Sequence, residues 1–347
     1  MFSALVTRFI ADLREVKEGS KWQEALRETI YADPAAIATP IVVDFGSLNN
    51  LRANSPKKLT WQIIDHCSAF LRIYALFEKA VCDLVIEYSS LVSRVTPNYQ
   101  LLDDRIRQQH RIGVGQILTK WSNSNSLYSN IAEKDISSGL SDGLRGQPYS
   151  LLPDAFLTSP ENFRAGALIR LFTDLGFDNA FAWVRKDPAI VSFLKQELND
   201  SETVDSYLDG FVLTRNEAAH GTVNDVANAK KISNYTDFLS LIVSSFADLL
   251  RSSLIRKGVK SNCSVKLGAV PHVWSNNVVG VRSDINGEIK IGDVLYIGKK
   301  RIDPVVVQTL RVGHSEFQTL SLSQGFEFGM RLDIRVPQGS DVFRWII

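Results

Sequence analysis

Cysteine is scarce in this 347-residue chain: three residues, Cys67, Cys82 and Cys263, with no C-x-x-C spacing. An odd number without paired spacing excludes a disulfide framework and a zinc ribbon. Cys67 and Cys82 fall in one helical pattern about 22 Å apart along its axis, too far to bridge. A reducing, cytoplasmic compartment is the expectation. Net charge is also nearly absent, +1 with 22% charged residues, so any basic surface for nucleic acid must be local. No run of eighteen apolar residues occurs, and Arg8 and Asp12 interrupt the N-terminal MFSALVTRFIADLREVKEG before a signal-peptide core is complete. The sequence therefore predicts no membrane span. The five histidines show no ligand spacing such as H-E-x-x-H, and neither a metal nor a cofactor is expected. GDVLYIGKKR (292–301) lacks the phosphate-loop spacing, since five residues separate its glycines where four are needed and no Ser or Thr follows the lysines. It reads as a strand and a basic turn. Cys67 beside His66 reads as a buried thiol.

Helical periodicity dominates the first three quarters, over 2–18, 60–93, 101–121, 161–176, 202–220 and 228–256. WQIIDHCSAFLRIYALFEKAVCDLVIEYSS repeats apolar residues every three or four positions for about nine turns and predicts the spine of a helical bundle. Stretches 32–59 and 122–160, rich in Asn, Ser, Gly and Pro, read as loops. After Lys257 the pattern changes to short β-branched and aromatic runs (VVGV, VLYI, PVVVQTLRV, RLDIRV, VFRWII) separated by N-N, N-G, G-K-K and P-Q-G turns. The expected fold is multidomain: an all-α bundle over 1–258, with an insertion-like region at about 97–158, then a small β-barrel or sandwich over 265–347.

LDGFVLTRNEAAHGTV (208–223) is the segment where residue types point to chemistry. Read as a helix, it buries Leu208, Phe211, Val212 and Ala219 and closes at Gly221. Asn216 and His220, four apart, share a face, and Arg215, about 140° round the helix, has the reach to bend over the turn. One ligand could thus meet an imidazole able to exchange a proton near neutrality, an amide, and a guanidinium that matches phosphate oxygens. Arg and His are also favoured at a helix C-terminus by the dipole alone, so an ordinary helix end is the competing reading.

TRNEAAHG resembles the R-N-x-x-x-H signature, commonly continued as A-H-G, of the HEPN superfamily, particularly its RiboL-PSP-HEPN branch. CSAFLRIYALFEKAVCDLV is similar to the central helix of that family, including its acidic residue, here Glu78. SPENFRAGALIRLFTDLGFD is similar to the helix preceding the motif, and NYTDFLSLIVSSFADLLRSSL to the closing helix. The resemblance spans roughly 1–256 and implies a metal-independent endoribonuclease. In it Arg215 and His220 are catalytic, Asn216 and Glu78 support them, and a 2′-hydroxyl attacks its own phosphate to leave a 2′,3′-cyclic phosphate. It further implies a homodimer with facing motif helices, and a prokaryotic toxin or antiviral defence factor with an antitoxin or defence-system partner. A non-catalytic RNA- or protein-binding adaptor is the alternative from another class.

Two compact basic clusters remain, RIRQQHR with Arg105, Arg107 and Arg111, and the turn Lys299-Lys300-Arg301; both are candidate contacts for RNA phosphates. NNVVGVRSDINGEIKIGDVLYIG and SQGFEFGMRLDIRVPQGSDVF resemble the second-domain barrel of translation factors of the elongation factor Tu type, without the GTPase domain found there. That resemblance implies docking on tRNA or ribosome-associated RNA; packing or dimerisation is the other use of such a barrel.

Overall fold

The computed structural model describes residues 1–32, 45–121, 128–159, 161–198, 201–275 and 277–346. Its helical part is organised by α3 (Lys58–Val95), 38 residues and so about 57 Å long at 1.5 Å per residue. The three- and four-residue apolar spacing gives α3 one continuous face, with Phe70, Ile73, Phe77, Val81, Leu84, Tyr88 and Val92 wholly enclosed. The helix ends as Thr96 leaves helical geometry immediately before Pro97, the restriction that proline places on its predecessor. Against α3 pack α1 (Ser3–Tyr31), α9 (Val204–His220) and α10 (Ala229–Lys260). By length and composition α10 could cross a membrane, with mean hydropathy 1.5 over its most apolar window, but 72% of that window is buried inside the protein. It is a core helix, enclosing Phe238, Leu239, Ile242, Val243 and Phe246.

Several expectations for the helical part need correction. Stretch 32–59 contains α2 (Phe45–Asn54) and the start of α3; its segment 33–44 lies outside the described residues. Stretch 122–160 contains α5 (Glu133–Leu144) and a 3-10 turn at Pro153–Phe156, while 122–127 and 160 lie outside the described residues. Serine and glycine hide α5 from a reading by propensity, yet packing of Ile136 and its glycines decides for helix. α4 (Asp104–Trp121) and α6 (Ala165–Asp174) stand where periodicity placed helices, whereas α7 (Ala180–Arg185) and α8 (Pro188–Leu198) are additional. α1 runs thirteen residues past its expected end at 18. Its distal half is held partly by Arg27, which is nearly buried and paired with Asp65 of α3, a contact that apolar periodicity does not register.

From Ser264 onward the chain is β. In order it forms β1 (Ser264–Ser275), β2 (Val278–Ser283), β3 (Gly287–Lys290), β4 (Val294–Gly298), β5 (Ile302–Val312), β6 (Ser315–Phe317), β7 (Thr319–Leu322), β8 (Glu327–Leu332) and β9 (Asp341–Trp345). The ring β4-β9-β1-β2-β8-β5 closes through β4–β5 pairing, so six antiparallel strands make a barrel; β6 extends β5, and β3 pairs with β7. Alternate residues, among them Leu267, Val279, Val281, Leu295, Val307, Leu310 and Met330, fill the interior. β1 lacks a clean two-residue alternation, its pairing with β2 shifting register between Ala269 and His272 and between Val273 and Ser275. The RLDIRV run is strand only as far as Leu332; Asp333 then turns and accepts the Val306 N–H.

Barrel and bundle are joined along α10. The Ile302 N–H donates to Ser252 Oγ at 2.9 Å, and Ile255, Tyr296, Ile302 and Phe343 form a small apolar cluster at the seam. Arg301 reaches Asp187 at 2.7 Å, Asp303 at 3.3 Å, and Asp248 of α10. Burial pushes the Asp248 carboxyl up, opposed by Arg251 and Arg301.

Candidate active site

α9 opens with a capping box in which Thr203 accepts the Ser206 N–H while the Ser206 hydroxyl accepts the Thr203 N–H. It closes at Gly221, whose φ of 69° lies in the left-handed region that glycine adopts without a side-chain clash. Leu208, Phe211, Val212 and Ala218 face the core; Ala219 is exposed, contrary to its expected place on the buried face. Phe211 sits within an aromatic set formed with Phe70, Tyr74, Phe77 and Tyr235. That packing sets the rotation of α9 and so determines which motif residues reach the surface.

Arg215 bends back over α3. Its guanidinium carbon lies 3.9 Å from the centroid of the Tyr74 ring, a close cation–π contact. Nη1 donates to Asn216 Oδ1 at 2.9 Å and Asn162 Oδ1 at 3.3 Å. Asn162 also takes a bond from the Tyr74 hydroxyl at 3.3 Å and donates through Nδ2 to Asn216 Oδ1 at 3.4 Å. The Tyr74 oxygen in turn accepts the Phe163 N–H at 3.1 Å. Burial raises the Tyr74 phenol, although the Phe163 bond and Arg215 pull the other way, so it remains the O–H donor this network requires. Arg215 Nε is buried without a partner, and Nη2 makes no hydrogen bond among the described residues. A guanidinium fixed on one edge with Nη2 uncommitted is preorganised for an anion.

His220 is the last residue of α9 and is exposed. The loop after it is tied down by the buried His66, whose Nδ1 accepts the Ala227 N–H at 3.0 Å. Burial and nearby Lys231 hold His66 below its ordinary value, which suits an imidazole used as an acceptor. Asp209 of α9 accepts the Ala165 N–H at 2.9 Å and caps α6, delivering the Asn162–Phe163 segment to the motif.

The structure thus brings Arg215 and Asn216 together. Asn216 Oδ1 bonds Arg215 and Asn162, and the side chain of His220, one turn on, has no hydrogen-bond partner among the described residues. Glu78 stands one turn beyond Tyr74, is exposed, and acts on Tyr74 through its charge. It opens on a recess of about 700 Å³ bounded also by Cys82, Gln109, Phe163, Arg170 and Asp174. Tyr74 and Asn162 were missed in the sequence; their signal was only their presence inside the family-like helix and the segment before the motif. The basic candidates lie elsewhere. Arg105 acts on Asp174 and Arg111 on Tyr99 through their charge, and Arg107 bonds Gln100 and Asp104. Lys299 and Lys300 are exposed, whereas Arg301 is engaged by three aspartates at the seam. Among the described residues no hydrogen bond or ion pair joins either cluster to α9.

The RiboL-PSP-HEPN family model matches residues 44–252, which include α3, the Asn162 segment, α9 and nearly all of α10. The chain matches no curated protein and no solved structure. Because the family match covers well over half of the chain and contains every residue of the Arg215 network, the protein belongs to the RiboL-PSP-HEPN family, a group generally associated with ribonucleases.

Proposed function

We propose that the protein is a metal-independent endoribonuclease. Arg215 binds the scissile phosphate through its free edge and stabilises the charge that builds up at phosphorus. His220 exchanges the proton of the attacking 2′-hydroxyl or of the leaving 5′-oxygen. The O2′–P bond forms as the P–O5′ bond breaks, giving a 2′,3′-cyclic phosphate and a 5′-hydroxyl. Asn216 holds Arg215 and keeps its amide Nδ2 for a phosphate oxygen. Glu78 supports the site through its charge on the Tyr74 side. The observation that carries this reading is the Arg215 guanidinium, stacked at 3.9 Å on Tyr74 and anchored by Asn162 and Asn216, on the helix that ends one turn later in an exposed histidine.

A single histidine is one proton-transfer group short, so the active species is a homodimer in which two α9 helices face each other. Leu213, 54% exposed and seven residues before His220, supplies an apolar contact on that same face. The setting is a cytoplasmic toxin or defence factor held in check by a partner.

The experiment is incubation of total RNA with the full chain in chelator. Discrete fragments ending in cyclic phosphate are expected, and none with His220→Ala, which leaves the fold intact because the side chain is exposed. Arg215→Lys keeps the charge but loses the fork, and activity should fall by roughly 10²–10³, as for loss of one oxyanion donor. Intact RNA with wild-type protein would favour a binding adaptor.

A further inference from the structure

The outer face of the barrel carries a recess beside an exposed tryptophan, outside both the family match and the catalytic motif. Across β1, β2, β8 and β5, outward positions in register form the row His272, Gly280, Gly329, Arg311. The two central positions lack side chains, and Trp274 fills the space above them. A Cβ at Gly280 would come within 2.9 Å of the indole Cη2, and one at Gly329 within 3.5 Å of Cζ3. The ring therefore rests on the backbone of the two strands, and glycine at 280 is what lets it do so. Yet Trp274 remains 65% exposed, so a large aromatic surface faces solvent beside a recess of about 550 Å³.

The charges around this ring are unbalanced. Arg282, Arg311 and Arg331 project from the same face against Glu316 and Glu327, with His272 at the edge. Arg311 is paired to Glu316 at 2.8 Å, but Arg282 and Arg331 enter no ion pair among the described residues. An exposed indole sharing its recess with Arg331, which enters no ion pair among the described residues, has the composition of a base-stacking platform. The π-face takes a base of any sequence and the cations follow the backbone. A neutral, proline-rich peptide could use the ring but would leave the arginines without partners.

We propose that the Trp274 face binds single-stranded RNA, stacking a base on the indole while Arg331 and Arg282 meet the adjoining phosphates. The choice of RNA rests on the ribonuclease reading; the platform itself does not. The assay is fluorescence anisotropy of a labelled 2′-O-methyl oligouridine 12-mer, which cannot be cleaved by 2′-hydroxyl attack, with the full-length protein. Trp274→Ala should weaken binding at least about fivefold, the low end for loss of one stacked base, while Trp274→Phe retains most of it. Arg331→Gln should lower the salt slope by about one phosphate contact. Circular dichroism and thermal unfolding of each variant should match wild type, because these side chains are exposed. Absence of binding, or equal affinity for wild type and Trp274→Ala, overturns the proposal, as does capture of a proline-rich peptide in place of the oligomer. Trp274-dependent binding without any cleavage of ordinary RNA would instead remove the ribonuclease reading and leave this site standing.

Discussion

His110 offers the sharpest quantitative test of the packing in the 97–158 region. It is fully buried on α4. Nε2 accepts the Leu152 N–H at 3.0 Å, so that nitrogen carries no proton, and Nδ1 faces the Tyr99 hydroxyl at 3.3 Å. Protonation would set two N–H groups against each other at Nε2 and place a charge in an apolar pocket against Phe156. Burial accordingly lowers the imidazole from its ordinary 6.5 to about 4. The unfolded chain takes up this proton near pH 6.5 and the folded one only near pH 4, so the contribution is complete above pH 6.5. It is lost as pH falls towards 4. At ~1.4 kcal/mol per pH unit, the loss between pH 7.5 and 4 is about 3 kcal/mol. His110→Gln retains an acceptor for Leu152 but cannot titrate. Urea unfolding of both proteins across this range should give a wild-type-minus-variant curve that drops by about that amount. Carboxylates and His66 contribute to both proteins and cancel. Proton NMR of the His110 ring should show no titration near neutrality. A flat difference curve, or a His110 midpoint near 6.5, would refute the argument.

Tyr74→Leu removes the ring beneath Arg215 and the hydroxyl that holds Asn162, so cleavage should fall at least tenfold while Tyr74→Phe, which keeps the ring, loses less; single-turnover rates on one RNA decide this. Mixing inactive Arg215→Ala and His220→Ala subunits should restore part of the activity if the two chains share a site, and a monomer by light scattering at fully active concentrations would disprove the dimer. Arg301→Gln leaves Asp187 and Asp248 without their shared cation. The expected loss is about 2 kcal/mol by denaturant unfolding, below the value for a wholly buried pair because Arg301 is 39% exposed. An unchanged midpoint would show that the seam does not depend on this cluster.

The sequence by itself determined what is written in local periodicity and residue type. It was sufficient for the long α3, the change from helix to strand after Lys257 and the end of α9 at Gly221, and it placed Arg215, Asn216 and His220 as candidates that a family resemblance singled out. These follow from i, i+3 and i+4 burial, glycine conformation and side-chain chemistry, all local to a few turns. Only the tertiary structure decided the features that join distant segments. Asn162 lies 88 residues from the Tyr74 it bonds, and Arg301 lies 114 from Asp187. No spacing rule reaches across such separations. The same holds for Ala218 in place of Ala219 on the buried face, for α5 within a serine- and glycine-rich stretch, and for β1 with its broken alternation. In each of these, packing against other elements outweighs local preference, because the burial it provides exceeds the few tenths of a kcal/mol by which propensities differ.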